Sequence, residues 1–160
     1  MYTTKNDLPA QNRTKLVELL NARLADAVDL QTQIKQAHWN VKGPDFIALH
    51  ELFDEINEDA EEYVDLIAER AVQLGGIALG TARLAARASQ LKEYPANIAS
   101  GREHVDALSN ALSAFGKGTR QAIDASEELR DKDTADILTE ISRGVDKWLW
   151  FVEAHLQAER

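Results

Sequence analysis

Five side chains in the first half of the chain have the chemistry of metal ligands: His38, His50, Asp54, Asp65 and Glu69. His50 and Asp54 are one helical turn apart, and so are Asp65 and Glu69, so each pair projects from one side of a helix. Imidazole and carboxylate together suit ferrous iron with positions left open for an oxidant, although manganese or zinc would accept the same atoms. The two pairs cannot serve one ion within one chain. Asp54 and Asp65 lie about 16 Å apart along a helix axis, whereas metal–ligand bonds are roughly 2.0–2.6 Å. Two readings follow. Either the pairs belong to a solvated acidic face, natural in a chain with 27 acidic residues, or they are half-sites. Half-sites become whole when a second copy packs antiparallel across a two-fold axis. His50 and Asp54 of one chain then face Asp65 and Glu69 of the other, and symmetry makes the site twice.

The elements that must position these residues are helices. Phe46, Leu49, Phe53, Ile56, Ala60, Val64, Ile67, Ala71 and Leu74 form one apolar stripe with helical period over 45–74. The ligand pairs sit roughly 130° round from that stripe, off the core of their own bundle. A first helix is expected over 12–40, with Leu16, Leu20, Leu24, Ala27, Leu30, Ile34 and Ala37 inward and His38 near its end; Gly43-Pro44 stops it. A third helix is expected over 101–128, with Val105, Leu108, Leu112, Phe115, Ala122 and Ile123 inward, and Gly116 and Gly118 marking close packing. His104 is expected at the surface. A fourth is expected over 134–157, capped by Asp133 or Thr134, with Ile137, Leu138, Ile141, Val145, Trp148, Leu149 and Val152 inward and Trp150 also packed. Near its end, His155 suits the negative end of the helix dipole.

Between the second and third helices, 75–99 is too long for a hairpin turn and carries a short helical segment at 81–88. Such a crossover lets those two helices run parallel. The chain thus divides into an N-terminal extension, 1–11, expected to be a terminus that packs against a neighbour, and one all-α domain, 12–160. That domain is a ferritin-like four-helix bundle with a short extra helix in the long crossover. The ordinary intra-bundle di-iron motif, Glu three residues before His, is missing: Lys35, Ile47, Gly101 and Val152 hold those places.

Composition narrows the function classes. There is no cysteine, which excludes disulfides, zinc–thiolate and iron–sulfur sites and fits a cytoplasmic protein. No apolar run approaches membrane-spanning length, and Met1 to Leu8 lacks the apolar core of a signal peptide. A net charge of −9 favours cations over nucleic acid as partners.

Three segments carry a family resemblance. Lys35-Gln-Ala-His-Trp-Asn-Val-Lys-Gly-Pro44 is followed by Phe46-Ile-Ala-Leu-His-Glu-Leu-Phe-Asp54, then by Asp65-Leu-Ile-Ala-Glu-Arg-Ala-Val-Gln-Leu-Gly-Gly76. With Asp133-Thr-Ala-Asp-Ile-Leu-Thr139 and Asp146-Lys-Trp-Leu-Trp-Phe-Val-Glu-Ala-His155, they resemble the Dps family of DNA-protecting mini-ferritins over roughly residues 7–157. The resemblance implies a cytoplasmic, possibly nucleoid-associated, hollow dodecamer that oxidises Fe(II), preferably with hydrogen peroxide, and stores ferric mineral. It implies a di-iron site shared between two subunits, with His38, His50 and Asp54 from one and Asp65 and Glu69 from the other. Trp39 adjoins that site, either as an electron donor or as a seam-packing residue. Asp131, Asp136 and Glu140 correspond to carboxylates lining an iron-entry pore on a three-fold axis; the alternative is a solvated loop and first helical turn. DNA binding is expected to be weak or absent, because Lys5 alone precedes Arg13 as a basic residue. The competing function is a DNA-coating, compacting stress protein with little ferroxidase activity.

Overall fold

A computed structural model describes residues 1–157. It contains α1 (Ala10–Asn40), α2 (Phe46–Gln73), α3 (Ala82–Ala88), α4 (Gly101–Glu128) and α5 (Lys132–Gln157). The long helices begin and end within about two residues of the expected positions, and the one β contact among the described residues is an isolated bridge between Lys42 and Ser100. The final residues of the expected domain, 158–160, lie outside the described residues.

Contacts at the helix ends fix the topology. A side chain on Gly76, after α2, would run into Val17 near the start of α1, while His38 at the end of α1 meets His50 at the start of α2. These two helices are therefore antiparallel. The Lys42 amide donates to the Ala99 carbonyl (2.8 Å), and Asn12 Nδ2 donates to the Leu129 carbonyl (3.0 Å). Hence α4 is antiparallel to α1 and parallel to α2, as the long crossover requires. The core is made of the expected stripes: Leu16, Leu20, Leu24, Ile34, Phe53, Ile67, Phe115, Leu138 and Val145 are all fully buried.

The crossover is held by polar side chains of α1. Asn21 donates to the Ile77 carbonyl (3.0 Å) and accepts from the Leu79 amide (2.8 Å). Asp26, 2% exposed, accepts from the Gln90 amide (2.7 Å) and pairs with Arg23 (2.9 Å). Burial pushes its carboxyl above the ordinary range, with the Gln90 amide and Arg23 pulling the other way.

The ends of α2 and α4 are six-residue C-terminal turns closed by paired backbone bonds. After α2, the Gly76 amide donates to Ala71 O and the Gly75 amide to Val72 O, with Gly75 at φ +85°. After α4, the Asp131 amide donates to Ser126 O and the Arg130 amide to Glu127 O, and Arg130 takes the left-handed place at φ +61°. The N-terminal segment docks on its own chain: the Tyr2 amide donates to Gly75 O (2.7 Å), and Arg13 bridges the Leu8 and Leu74 carbonyls. These bonds tie residues 1–11 to the end of α2 of the same chain.

Three expectations for single residues are corrected. His104 is 1% exposed, and its Nδ1 lies 2.7 Å from the Tyr94 hydroxyl. Burial lowers its pKa, with the Asn40 backbone opposing. Trp150 is 63% exposed, its ring meeting Phe151 edge-on, while Trp148 is buried and donates to Asp59 Oδ2 (2.6 Å). The cap of α5 is Asp131, whose Oδ1 accepts from the Thr134 amide.

Candidate metal centre

His38 and His50 are locked to each other. His38 Nδ1 lies 2.8 Å from the His50 carbonyl oxygen, and His50 Nδ1 lies 2.9 Å from the His38 carbonyl oxygen. A carbonyl only accepts, so each Nδ1 carries its proton and each Nε2 presents a lone pair, the tautomer a metal needs. The rings stack with centroids 3.7 Å apart at 20°. This lock forms because α1 ends just past His38, at Asn40, and α2 opens one turn before His50, at Phe46. The short Gly43-Pro44 turn brings those two ends together, with Gly43 at φ +120°.

Asp54, one turn beyond His50, faces the same side. Its Oδ1 is 3.9 Å from His38 Nδ1 and accepts a 2.7 Å bond from Lys35 Nζ. That Lys35 bond holds the half-exposed Asp54 carboxyl below its ordinary value. Lys35 also reaches toward the ring of Trp39, 5.8 Å from its centroid; Trp39 is 68% exposed beside His38. Sequence reading missed Lys35, although its place one turn before Trp39 on the face of His38 is a usable signal.

The structure thus brings His38, His50 and Asp54 together and leaves Asp65 and Glu69 exposed farther along α2. Among the described residues, no three His, Cys, Asp or Glu side chains of one chain are gathered closely enough to hold an ion. Two imidazoles and one carboxylate at one end of α2, and two carboxylates at the other, are the donor types that ferrous iron takes.

The expected pore residues separate. Asp136 and Glu140 are exposed. Asp131 is 3% exposed, and both its oxygens accept from Arg70 (2.8 and 3.0 Å), with Thr134 Oγ1 donating to Oδ2. Arg70 is itself buried and donates through Nε to Thr134 (2.9 Å). Burial alone would raise the Asp131 carboxyl; the bonds from Thr134 and Arg70 outweigh it and hold the carboxyl low. The Asp131 carboxylate thus neutralises a buried arginine and caps α5.

A four-helix bundle with a long crossover that carries a short helix defines a ferritin-like protein. Comparison with known proteins agrees. The ferritin-like domain family matches residues 17–160. The chain is similar to the DNA protection during starvation protein of Agrobacterium fabrum, 47% identical over 156 residues, covering 98% of this chain and 96% of that one. Its fold is similar to that of Mycobacterium smegmatis Dps in a tetragonal crystal form, with a TM-score of 0.94 at 30% identity, covering 99% and 96% of the two chains. Dps from Vibrio cholerae O1, described as a member of a broad superfamily of ferritin-like diiron-carboxylate proteins, superposes with a TM-score of 0.91 at 27% identity over 98% of both chains. The chain belongs to the Dps family of ferritin-like proteins.

Proposed function

We propose that the protein oxidises ferrous iron at a centre shared by two copies and stores the ferric product inside a hollow dodecamer. The observation that carries this reading is the divided ligand set. His38, His50 and Asp54 converge at one end of α2, Asp65 and Glu69 stand at the other, and only a second chain unites them. In the unified centre, Glu69 and Asp54 hold the tighter iron position, the carboxylates favouring the ferric product, and His38 and His50 complete the second. Ferrous iron is the substrate and ferric mineral the cargo.

Two ferrous ions side by side supply two electrons. Together with two protons, these reduce one hydrogen peroxide to two waters, and no hydroxyl radical is released. DNA is thereby protected by removal of iron and peroxide. Coating of DNA is disfavoured by the net charge of −9 and by the N-terminal segment bound down at Tyr2. Among the described residues, no helix is long and apolar enough to cross a membrane, and the proposed location is the cytoplasm. Asp136 and Glu140, exposed near the start of α5, are proposed to draw ferrous ions toward the entry pore.

The test adds ferrous iron anaerobically to metal-free protein, then peroxide, and follows ferric absorbance beside a hydroxyl-radical trap. Fast oxidation at about one peroxide per two irons, with little trapped radical and loss of activity in His50→Ala/Asp54→Ala, is expected. Normal oxidation by that double variant would move the centre elsewhere and bring the DNA-coating role forward.

A further inference from the structure

Trp148 of α5 has neighbours that packing alone does not call for. It is 4% exposed, and its Nε1–H donates to Asp59 Oδ2 of α2 at 2.6 Å. A buried indole needs some acceptor, and a neutral carbonyl would satisfy the fold. A carboxylate makes a shorter, stronger bond and can also take the proton. Over the ring stands Lys147 Nζ, 3.8 Å from the centroid. That charge is attracted to the neutral ring and opposes any positive charge developing on it. An indole so placed gives up an electron as its proton leaves, and Asp59 is where the proton goes. Tyr63, a second buried phenol-bearing neighbour of Asp59, keeps its proton: burial first, and the Asp59 charge next, push its hydroxyl above the ordinary range.

The pair sits behind the candidate centre. Along α2, Asp59 falls between Asp54 and Asp65, and at about 100° per residue it points roughly 120–140° away from both. Trp148 is therefore separated from the ligand face by the width of α2, about 10–12 Å with side chains. Phe151 meets Trp148 edge-on with centroids 5.5 Å apart, and Trp150 meets Phe151 edge-on at 4.9 Å. Trp150 is exposed, so the aromatic series runs from the buried pair to the surface of the protomer. Trp39, beside His38, is exposed as well, and a radical held there would meet solvent directly.

We propose that the Trp148–Asp59 pair is a built-in one-electron donor that completes peroxide reduction when the centre holds a single ferrous ion. This role rests on the ferrous-oxidation reading and adds a residue to it. One ferrous ion gives peroxide one electron and becomes ferric. Trp148 gives the second electron and passes its Nε1 proton to Asp59, which leaves a neutral indolyl radical. Two protons from solvent complete two waters, and no hydroxyl radical leaves. A small reductant such as a thiol later replaces the electron through Trp150, and Asp59 returns the proton.

Assembled metal-free protein is given fewer ferrous ions than centres, anaerobically, then peroxide, and is freeze-quenched for electron paramagnetic resonance; a parallel sample carries a hydroxyl-radical trap. The expected signal is a neutral indolyl radical that narrows when the tryptophan rings are deuterated. It should fall severalfold in Trp148→Phe and in Asp59→Asn and persist in Trp39→Phe, while trapped hydroxyl radical rises severalfold in the first two variants. Asp59→Asn is nearly isosteric and still accepts the indole bond through its amide oxygen, so loss of signal there reports the proton acceptor rather than the packing. A signal that survives Trp148→Phe or Asp59→Asn, or that is lost in Trp39→Phe, overturns the proposal. A second experiment needs no iron. Azidyl radicals made by pulse radiolysis oxidise exposed tryptophans, and the hole should settle on Trp148 in the unaltered protein and not in Asp59→Asn. A Trp148 radical formed this way in protein that fails to oxidise ferrous iron refutes the ferrous reading beneath the proposal. Normal ferrous oxidation with no Trp148 radical in either experiment refutes the donor pair alone.

Discussion

Replacing Asp131 by alanine separates two roles that a carboxylate in an acidic stretch can have. A pore carboxylate, once removed, slows iron entry and leaves the fold intact. The structure instead gives Asp131 to Arg70, which is 5% exposed. Alanine leaves that guanidinium buried without its counter-charge, which costs about 3–5 kcal/mol. Loss of the α5 cap costs about 1 kcal/mol, but the same oxygens do both jobs, so about 3–5 kcal/mol is the expected total. Against a domain stability of about 5–15 kcal/mol this is a large loss. The assay is urea unfolding at fixed protein concentration, because folding and association are linked. Adding Arg70→Met to Asp131→Ala removes the orphaned charge and should restore about 2 kcal/mol or more. The pH dependence has a definite sign. The folded-state carboxyl lies below its unfolded value, so its contribution is full above about pH 4 and fades as pH falls through the lowered folded value. A loss below about 1 kcal/mol, coupled to slowed iron uptake, would refute the reasoning and return Asp131 to the pore.

Other substitutions test other parts. Arg130→Gly relieves a left-handed backbone position and should stabilise by about 0.5–1 kcal/mol in the same unfolding assay. Gly144→Ala places a methyl 2.0 Å from the Tyr63 hydroxyl and should destabilise by about 1–3 kcal/mol. Gly118→Ala places a methyl 1.9 Å from Nη1 of Arg23, which is held by the buried Asp26, and should destabilise by about 1–3 kcal/mol. Lys35→Met should raise the Asp54 pKa toward its ordinary value in a carboxyl NMR titration of metal-free protein. It should also tighten ferrous binding near neutral pH, where Lys35 occupies the carboxylate.

The fold was legible because helical period is local information. The stripe of α1 from Leu16 to Ala37 is buried to the last residue, and Gly43-Pro44 and Gly75-Gly76 end their helices where their backbone demands. The eleven-residue gap between Asp54 and Asp65 likewise shows, through the rise of a helix, that one ion cannot touch both pairs within a chain. What stayed hidden depends on partners distant in sequence. Asp131 looks like one more acid beside Asp133 and Asp136 until Arg70 arrives from another helix. His104 has no acidic residue one turn away on its own helix; its partner Tyr94 lies in the crossover. Phe46 and Trp150 have core chemistry but face outward, since periodicity finds an apolar side chain without saying which body covers it.

The mutual bonding of His38 and His50 also determines when the ordering of the centre takes place. Each ring is fixed by the backbone of the other, so neither can rotate away while α1 and α2 hold their ends together. Loss of conformational freedom by these two ligands is settled during folding of the protomer, and an arriving ion does not have to immobilise them. Deleting one imidazole removes the other's stacked face but leaves the backbone carbonyl that holds its Nδ1. A single histidine variant therefore keeps the remaining ring oriented, and in the proposed centre single and double variants should differ in ferrous affinity.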